Sequence, residues 1–564
     1  NSDIALGLKK HHKHTYKKER SQYLKLLKKI DYTDTQKIIL NKLEQGIKSL
    51  DLINANTNKA EFKKETLQNT LENWEAHFDY NLGGLKQAPK FMLPNNYHFL
   101  LRYAYQTENK KLQEFINLTL TKMAYGGLYD QIGGGFSRYA VDVNWHIPHF
   151  EKMLYDNGQL VSLYADAYLI SKNELYKEVV YETLEFVSRE LTASNGAFYS
   201  SLDADSKTED GLLEEGAFYV WKKEALQTIL KADFKLFSEY YNVNDYGYWE
   251  NNHYVLIRNK TDENILKNFN LTIEALNEKK KTWKKTLLIA RAKRPRPRLD
   301  DKTLTSWNAI MLKGYVDAYR VFDEKSFLFS AEKNANFIIN NQLREDGGLN
   351  HNYKNNTSSI NGYLEDYATT IEAFIALYEN TLDEKWLNTA RDLTNYVFDY
   401  FYEPSNNMFY FTSNEDPSLI SRTIEYRDNV IPGSNSIMAK NLFKLAHFLD
   451  HTYYAETARK MLNNVQPEIE NYGSNYSNWL DLMLNYTHPF YEVAISGNEA
   501  IQKTKELNKA YVPNKIISGS TQKSTLPLLK NRFIDNETYI YVCVNKACKL
   551  PVKTVDEAIT NLKK

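Results

Sequence analysis

Apolar positions recur every three or four residues over most of the chain. This period predicts amphipathic helices over 61–77, 95–106, 110–124, 149–171, 174–192, 303–322, 328–342, 362–379, 383–401, 434–449 and 453–465. Many of these follow one another in pairs with short links, the arrangement of antiparallel helical hairpins. Between the pairs recur loops in which glycine or asparagine precedes aromatic residues, at 78–91, 126–136, 195–206, 244–256, 345–353 and 406–416. Their spacing is irregular, which makes the repeat a degenerate one of hairpin size. Six hairpins closing on themselves give an all-α-dominated (α/α)6 toroid, with the loops at the mouth of a central cavity; an open stacked solenoid is the competing architecture. The pattern changes at the carboxyl end, where 490–496, 514–519 and 538–544 read as β-strands. The predicted organisation is a helical segment over 1–57, the toroid over 58–488 and a small α/β appendage over 489–564.

Composition narrows the function classes. The 564 residues carry 71 basic and 71 acidic side chains, and the only long single-sign run, KKHHKHTYKKER near the amino end, reads as a solvated helix start. A nucleic-acid footprint is therefore not expected. Nor is a membrane partner, because no apolar run approaches the ~18 residues of a span and no charged start leads into a signal-peptide core. The first residue is Asn1 rather than Met, so the chain reads as a piece of a longer one. Two cysteines, Cys543 and Cys548, are too few for a disulfide framework or a four-thiolate zinc site; they read as buried or incidental thiols in a reduced, cytoplasmic setting. Aromatic residues reach 13%, with 42 Tyr. Rings of that kind stack on apolar faces while their hydroxyls bond polar groups, as a small carbohydrate or related polar ligand requires; a compositional lean toward Tyr, Asn and Lys explains the same excess.

Four segments carry candidate chemistry. In GGLYDQIGGGFSRYAVDVNWHIPHFEKMLYDN (126–157) the glycines shape a loop, and Pro148 suits the first turn of a helix on which His149 and Asp156 share a face. Asp203 and Asp205 lie two apart in an extended stretch, followed by Glu214 and Glu215; paired carboxylates at a cavity rim are what glycosyl chemistry uses. RPRPRLDDKTLTSWNA (294–309) brings Arg294, Arg296 and Arg298, Asp300 and Asp301, and Trp307 and Asn308 to a helix entrance, where they suit either a ligand grip or an ion-pair lock. GYLEDY (362–367) opens a helix with Glu365 and Asp366 in its first turn. Ser434 and Asn435 read as capping residues.

Taken in order, these segments, with FYSSLDADS, EEGAFYVW, IPGSNS and YVCVNKACKLPV, closely resemble the thioredoxin-domain-containing proteins related to spermatogenesis-associated protein 20, from about residue 78 to 560. The resemblance implies a thioredoxin-like domain joined to a six-hairpin toroid similar to glycosidases and N-acylglucosamine 2-epimerases; it supplies no reaction. The thioredoxin-like domain and its CxxC-type motif are absent here, and 1–57 look like the helices that would follow it.

The sequence thus points to a carbohydrate-active enzyme, glycosidase-like or epimerase-like, that uses neither metal nor cofactor. Catalytic candidates are His149, Asp156, Asp203, Asp205, Asp301, Glu365 and Asp366. Tyr129, Arg138, Trp145, His146, Trp307, Asn308 and Tyr363 are the binding candidates. A separation of ~5 to 9 Å between two carboxylates facing one cavity favours hydrolysis, and histidines on opposite walls favour epimerisation. The alternative is a non-catalytic sugar- or peptide-binding toroid partnered with a redox domain. Oligomeric state is not legible.

Overall fold

The computed structural model describes residues 53–208, 210–417 and 422–562. The helices expected within 1–57 lie outside the described residues, save for 53–57, which carry no helix. Helix α1 (Lys64–Glu75) precedes five hairpins: α2 and α3 (Pro94–Gln106, Lys110–Tyr125), α4 and α5 (Leu154–Ser171, Glu174–Glu190), α6 and α7 (Thr305–Phe322, Lys325–Phe337), α8 and α9 (Leu364–Thr381, Glu384–Tyr400), and α10 and α11 (Ser434–Leu449, Thr452–Ile469). A last helix, α12 (Ser477–Thr487), completes the set.

The even-numbered helices form an inner layer in which each contacts the next, α2 through α12, and α12 packs back on α2. The outer layer is odd-numbered, and α1 packs on α12 to supply the sixth pair. This closure makes the fold an (α/α)6 toroid and not an open solenoid. Burial follows the two layers. The outer helix α9 buries one stripe, Trp386, Leu387, Ala390, Leu393, Thr394 and Val397, whereas α8 buries nearly every position along its length. Inner helices must therefore approach closely. At the α4–α6 crossing the room comes from Gly158 and Gly314: a methyl group on Gly314 would stand 2.7 Å from the Gly158 carbonyl oxygen.

The structure departs from the sequence reading in four places. Helix α4 begins at Leu154, not near 149, because Pro148–His149 pair with Tyr139–Ala140 and Lys152–Met153 with Ser201–Leu202, so strand pairing takes the backbone groups a helix would use. Helix α12 was not expected; its eleven residues bunch their apolar positions from Trp479 to Leu484, a run too short to show a period. The loop 244–256 does not join two ring hairpins. It lies in an insertion between α5 and α6 that packs its own apolar cluster around Trp221, Phe237, Tyr240 and Trp283. Finally, Cys543 and Cys548 are joined by a disulfide, where two unpaired thiols were expected.

The carboxyl-terminal sheet has β1 (Tyr491–Ser496) at its centre. It pairs parallel with β2 (Lys515–Ser520) and antiparallel with β3 (Tyr539–Val544), and β4 (Ala547–Cys548) lies beyond β3. The segment before and into β2 lies across the carboxyl ends of the inner helices. There Asn508 Nδ2 donates to Asn380 Oδ1 at 3.0 Å and the Ile517 amide to Glu379 Oε1 at 3.2 Å. Among the described residues no helix is long and apolar enough to cross a membrane.

Overpacking of the α4–α6 crossing gives a direct test of the ring. Gly314→Val is expected to lower stability by about 1–3 kcal/mol, read as a drop in the denaturation midpoint; an unchanged midpoint would contradict the close crossing.

Candidate active site

The amino-terminal turns of the inner helices converge on one end of the toroid, and the loops entering them are tied down by a recurring device. Asn157 Oδ1 accepts from the Phe136 amide (2.8 Å) while its Nδ2 donates to the Phe136 carbonyl (3.1 Å). Asn308 does the same at Phe198, and Asn435 at Phe409. In the α8 sector the Tyr367 hydroxyl takes this place and accepts from the Leu349 amide at 2.7 Å. A side-chain amide that satisfies both backbone groups of one buried residue fixes the loop with no polar group left over. Asn308 is therefore part of the frame.

On that frame the first turns of α4, α6 and α8 carry Asp156, Trp307 and the Glu365–Asp366 pair. Asp366 is fully buried. Its Oδ1 accepts from the Ser306 amide (2.9 Å), and its Oδ2 accepts from the Tyr363 amide (2.9 Å) and lies 2.9 Å from His351 Nδ1. Glu365 stands beside it. Burial, then the negative charges of Asp366 and Glu425, push the Glu365 carboxyl up to about 8. Burial opposes the charged form of His351, yet its hydrogen bond to Asp366 and the charges of Asp366 and Glu365 outweigh it and raise the imidazole above its ordinary value. His351, Glu365 and Asp366 each present an atom within 4.8 Å of the others, a spacing suited to a metal ion. Three hydrogen bonds already occupy the Asp366 oxygens; none of them involves the Glu365 carboxyl.

Asp156 is a second acid. Burial raises its carboxyl well above the usual range; Arg138 opposes this and Glu151 adds to it, and among the described residues one of its oxygens has no hydrogen-bond partner. Arg138 Nη1 lies 3.3 Å from Glu151 Oε2. Glu151 in turn faces His149, whose Nδ1 is 2.7 Å from Glu215 Oε1 and whose ring stacks on Tyr139. Between the two acids, half-buried Trp307 meets Tyr155 edge-on at 4.8 Å, and Tyr363 stacks on Phe411 at 5.1 Å.

The other sequence candidates lie elsewhere. Asp203 pairs with Arg298 (3.2 Å) and Asp301 with Lys354 (2.6 Å), both partly open to solvent, and Asp205 sits in a two-stranded hairpin opposite Glu215. With Arg294 bonded to the Phe218 and Val220 carbonyls and Arg296 paired with Glu190, the arginine arm is a lock between the insertion and the ring. Tyr129 donates to Glu182 behind the mouth (2.6 Å). Trp145 is fully buried and donates to the Leu82 carbonyl (2.9 Å), so it offers no face to a ligand. His146 is half-buried, and burial holds its imidazole below the ordinary value. The glycine run of 133–135 serves a structural contact as well: a methyl group on Gly133 would stand 2.0 Å from Arg291 Nη2, which reaches in from the insertion to Asp130 (2.9 Å).

One turn deeper, on the same faces of the inner helices, the axis opens into a cavity of about 270 Å³. Its wall is charged and largely self-paired: Arg102 and Lys440 both hold Asp481 (3.0 and 2.8 Å), Lys313 holds Asp317 (2.7 Å), Arg320 holds Asp166, and Lys444 holds Glu379 (3.0 Å). Neither these residues nor His351 and Glu425 were singled out from the sequence. The signal present was a polar stripe at helical spacing on otherwise apolar helices, such as Gln159, Ser162 and Asp166 on α4 or Lys313, Asp317 and Arg320 on α6.

No family model matches the chain. Spermatogenesis-associated protein 20 from Homo sapiens is 29% identical over 520 residues, and the Mus musculus protein 28%; each alignment covers 84% of this chain and 66% of the relative. The chain is similar to spermatogenesis-associated protein 20 over most of its own length. It thus spans just under two thirds of the length of those two relatives. An uncharacterized protein of Caenorhabditis elegans is 29% identical over 559 residues, covering 91% of this chain and 76% of that one. Among solved structures, an α-mannanase of glycoside hydrolase family 76 from Bacteroides thetaiotaomicron is 12% identical, with a TM-score of 0.42, over 72% of this chain and 84% of that one. A cellobiose 2-epimerase from Spirochaeta thermophila is 13% identical, with a TM-score of 0.43, over 71% and 84%. The ring assignment stands on the chain's own helix contacts.

Asn308→Ala separates frame from ligand contact. It is expected to lower stability by roughly 1–3 kcal/mol, the cost of leaving the Phe198 backbone groups unpaired, while ligand affinity measured on the folded variant stays unchanged. A selective loss of affinity at unchanged stability would return Asn308 to the binding surface.

Proposed function

We propose that the toroid mouth is the active site of a carbohydrate-active enzyme in which Glu365 is the general acid. The observation that carries this reading is the Glu365 carboxyl set within 4.8 Å of the buried Asp366 carboxylate and of His351, where burial and like charge favour its acid form. Protonation of a sugar oxygen is the step common to glycosidic cleavage and to ring opening before epimerisation. The His351–Asp366 pair is the complementary proton acceptor, held with Nδ1 toward Asp366. Asp156 is the second carboxyl acid of the site, and Trp307 and Tyr363 supply ring faces on which a sugar packs.

The test is a panel of free sugars and glycans incubated with the full chain and with Glu365→Gln. Conversion is expected from the unaltered protein, with the variant slower by about 10²–10⁴-fold. No conversion by the unaltered protein, together with clear ligand-induced thermal stabilisation, would instead establish a binding toroid.

Two pH effects follow from the raised carboxyl. Activity that needs the acid form falls as pH rises through about 8, and Glu365→Gln should remove that limb from whatever activity remains. Stability is linked in the same direction. The folded state holds this proton more tightly than the unfolded chain, so the contribution is fully present below the ordinary 4.5 and is lost as pH rises through about 8. The stability of Glu365→Gln relative to the unaltered protein is therefore expected to grow between those values, as read by denaturant titrations at pH 5 and 9; a constant difference would contradict the raised carboxyl.

A further inference from the structure

The floor of the axial cavity, opposite the mouth, holds a cation that the wall does not neutralise. Six basic side chains line the cavity against five acidic ones; because Asp481 is shared by two cations, the pairing already described leaves over Lys515 and one acid, Glu372, whose charge bears on Lys313. Lys515 Nζ donates to the Val512 carbonyl at 3.2 Å, and among the described residues no carboxylate stands at ion-pair distance from it. Its neighbours sharpen the imbalance. Arg320, in the last turn of α6, and Lys444 of α10 both bear on it, while Glu379 is already held by Lys444 and by the Ile517 amide. Burial, then Arg320 and Lys444, lower the Lys515 ammonium to about 8 against the opposing charges of Glu379 and Asp166, which leaves it charged at neutral pH. An ammonium buried without a counter-charge is unfavourable, and here it opens on a space of about 270 Å³, just below the usual size of small-ligand pockets.

We infer that this floor is a second ligand site, separate from the proposed acid–base site, which takes a small organic anion, a carboxylate or a phosphate ester, between Lys515, Lys444 and Arg320. The anion completes the charge balance of the wall, and the amides of Asn380 and Asn508 at the same floor supply neutral polar contacts for the remainder of the ligand. The inference does not depend on the chemistry of the mouth, since it rests only on the floor's own charges.

Isothermal titration calorimetry of the full chain tests it with inorganic phosphate, glucose 6-phosphate and glucuronate, and with glucose as the neutral control. Phosphate and phosphate ester against glucuronate decides which anion is taken. At least one anion is expected to bind, and Lys515→Met to weaken it by about 10–100-fold, the loss of a charge-assisted contact. Lys515→Met removes an unpaired buried charge, so it is expected to fold, and Lys515→Arg, which keeps the charge, should retain most of the affinity. Glu365→Gln should leave anion affinity unchanged. The site is overturned if none of the anions binds, if Lys515→Met binds them as tightly as the unaltered protein, or if Glu365→Gln abolishes binding while Lys515→Met does not.

Discussion

Closing six helices into a ring obliges each inner helix to bury both its outer and its axial side, and the remainder of the structure depends on how the polar groups on those sides are compensated. The outer side is answered by hydrocarbon, as in the α8–α9 hairpin, where Phe374 meets Trp386 and Tyr367 stacks on Tyr396. The axial side cannot be answered in that way. Side chains from six helices meet there around a space too wide to fill with apolar groups, and charge is set against charge: Arg102 and Lys440 on Asp481, Lys313 on Asp317, Lys444 on Glu379. Buried pairs of this kind contribute little net stability, but losing one member costs about 3–5 kcal/mol. The axis is thus fixed in composition without being a source of stability.

The same geometry separates the two ends of the cavity. Inner helices run parallel around the ring, so their amino termini collect at the mouth and their carboxyl termini at the floor. Helix dipoles favour anions at the first and cations at the second by about 0.3–1 kcal/mol each, and the side chains follow: Asp156, Glu365 and Asp366 in first turns, Arg320 and Lys515 at the other end. Dipoles alone would keep Glu365 ionised. Burial and the neighbouring carboxylates overcome them, since lifting a glutamate from 4.5 to about 8 corresponds to on the order of 5 kcal/mol.

Much of the ring was legible in the sequence because it is written in local period. Eleven of the twelve ring helices show a repeating apolar spacing long enough to detect, and the glycine-aromatic loops mark five of the junctions where an outer helix turns into an inner one. What escaped was set by contacts between distant residues. Helix α12 owes its place to α2 and α10 more than to its own pattern. Pro148 suits a helix start on local grounds, but pairing with Tyr139–Ala140 overrides it. At the mouth, Glu365 and Asp366 could be singled out from their position in a first turn, whereas His351 lies on a hairpin (Asn350–Lys354 with Thr357–Asn361) that folds back onto them, and nothing in the local sequence links the two. Trp145 and Asn308 carry the side chains expected of a sugar site, yet one is walled in and the other clamps a loop.

The dipoles at the floor also offer a simpler account of Lys515, namely that a cation belongs beside carboxyl-terminal helix ends. The magnitudes decide against it as a full explanation. Two or three helix ends supply at most about 1 kcal/mol each, and Arg320 already draws on one of them. The effective penalty for burying an ion is several kcal/mol, and two neighbouring cations add to it. The part of that cost left uncompensated shows in the lowering of the Lys515 ammonium to about 8. A charge that the protein's own groups only partly offset, facing an open space at the end of an otherwise balanced wall, is the arrangement in which an incoming anion gains the most.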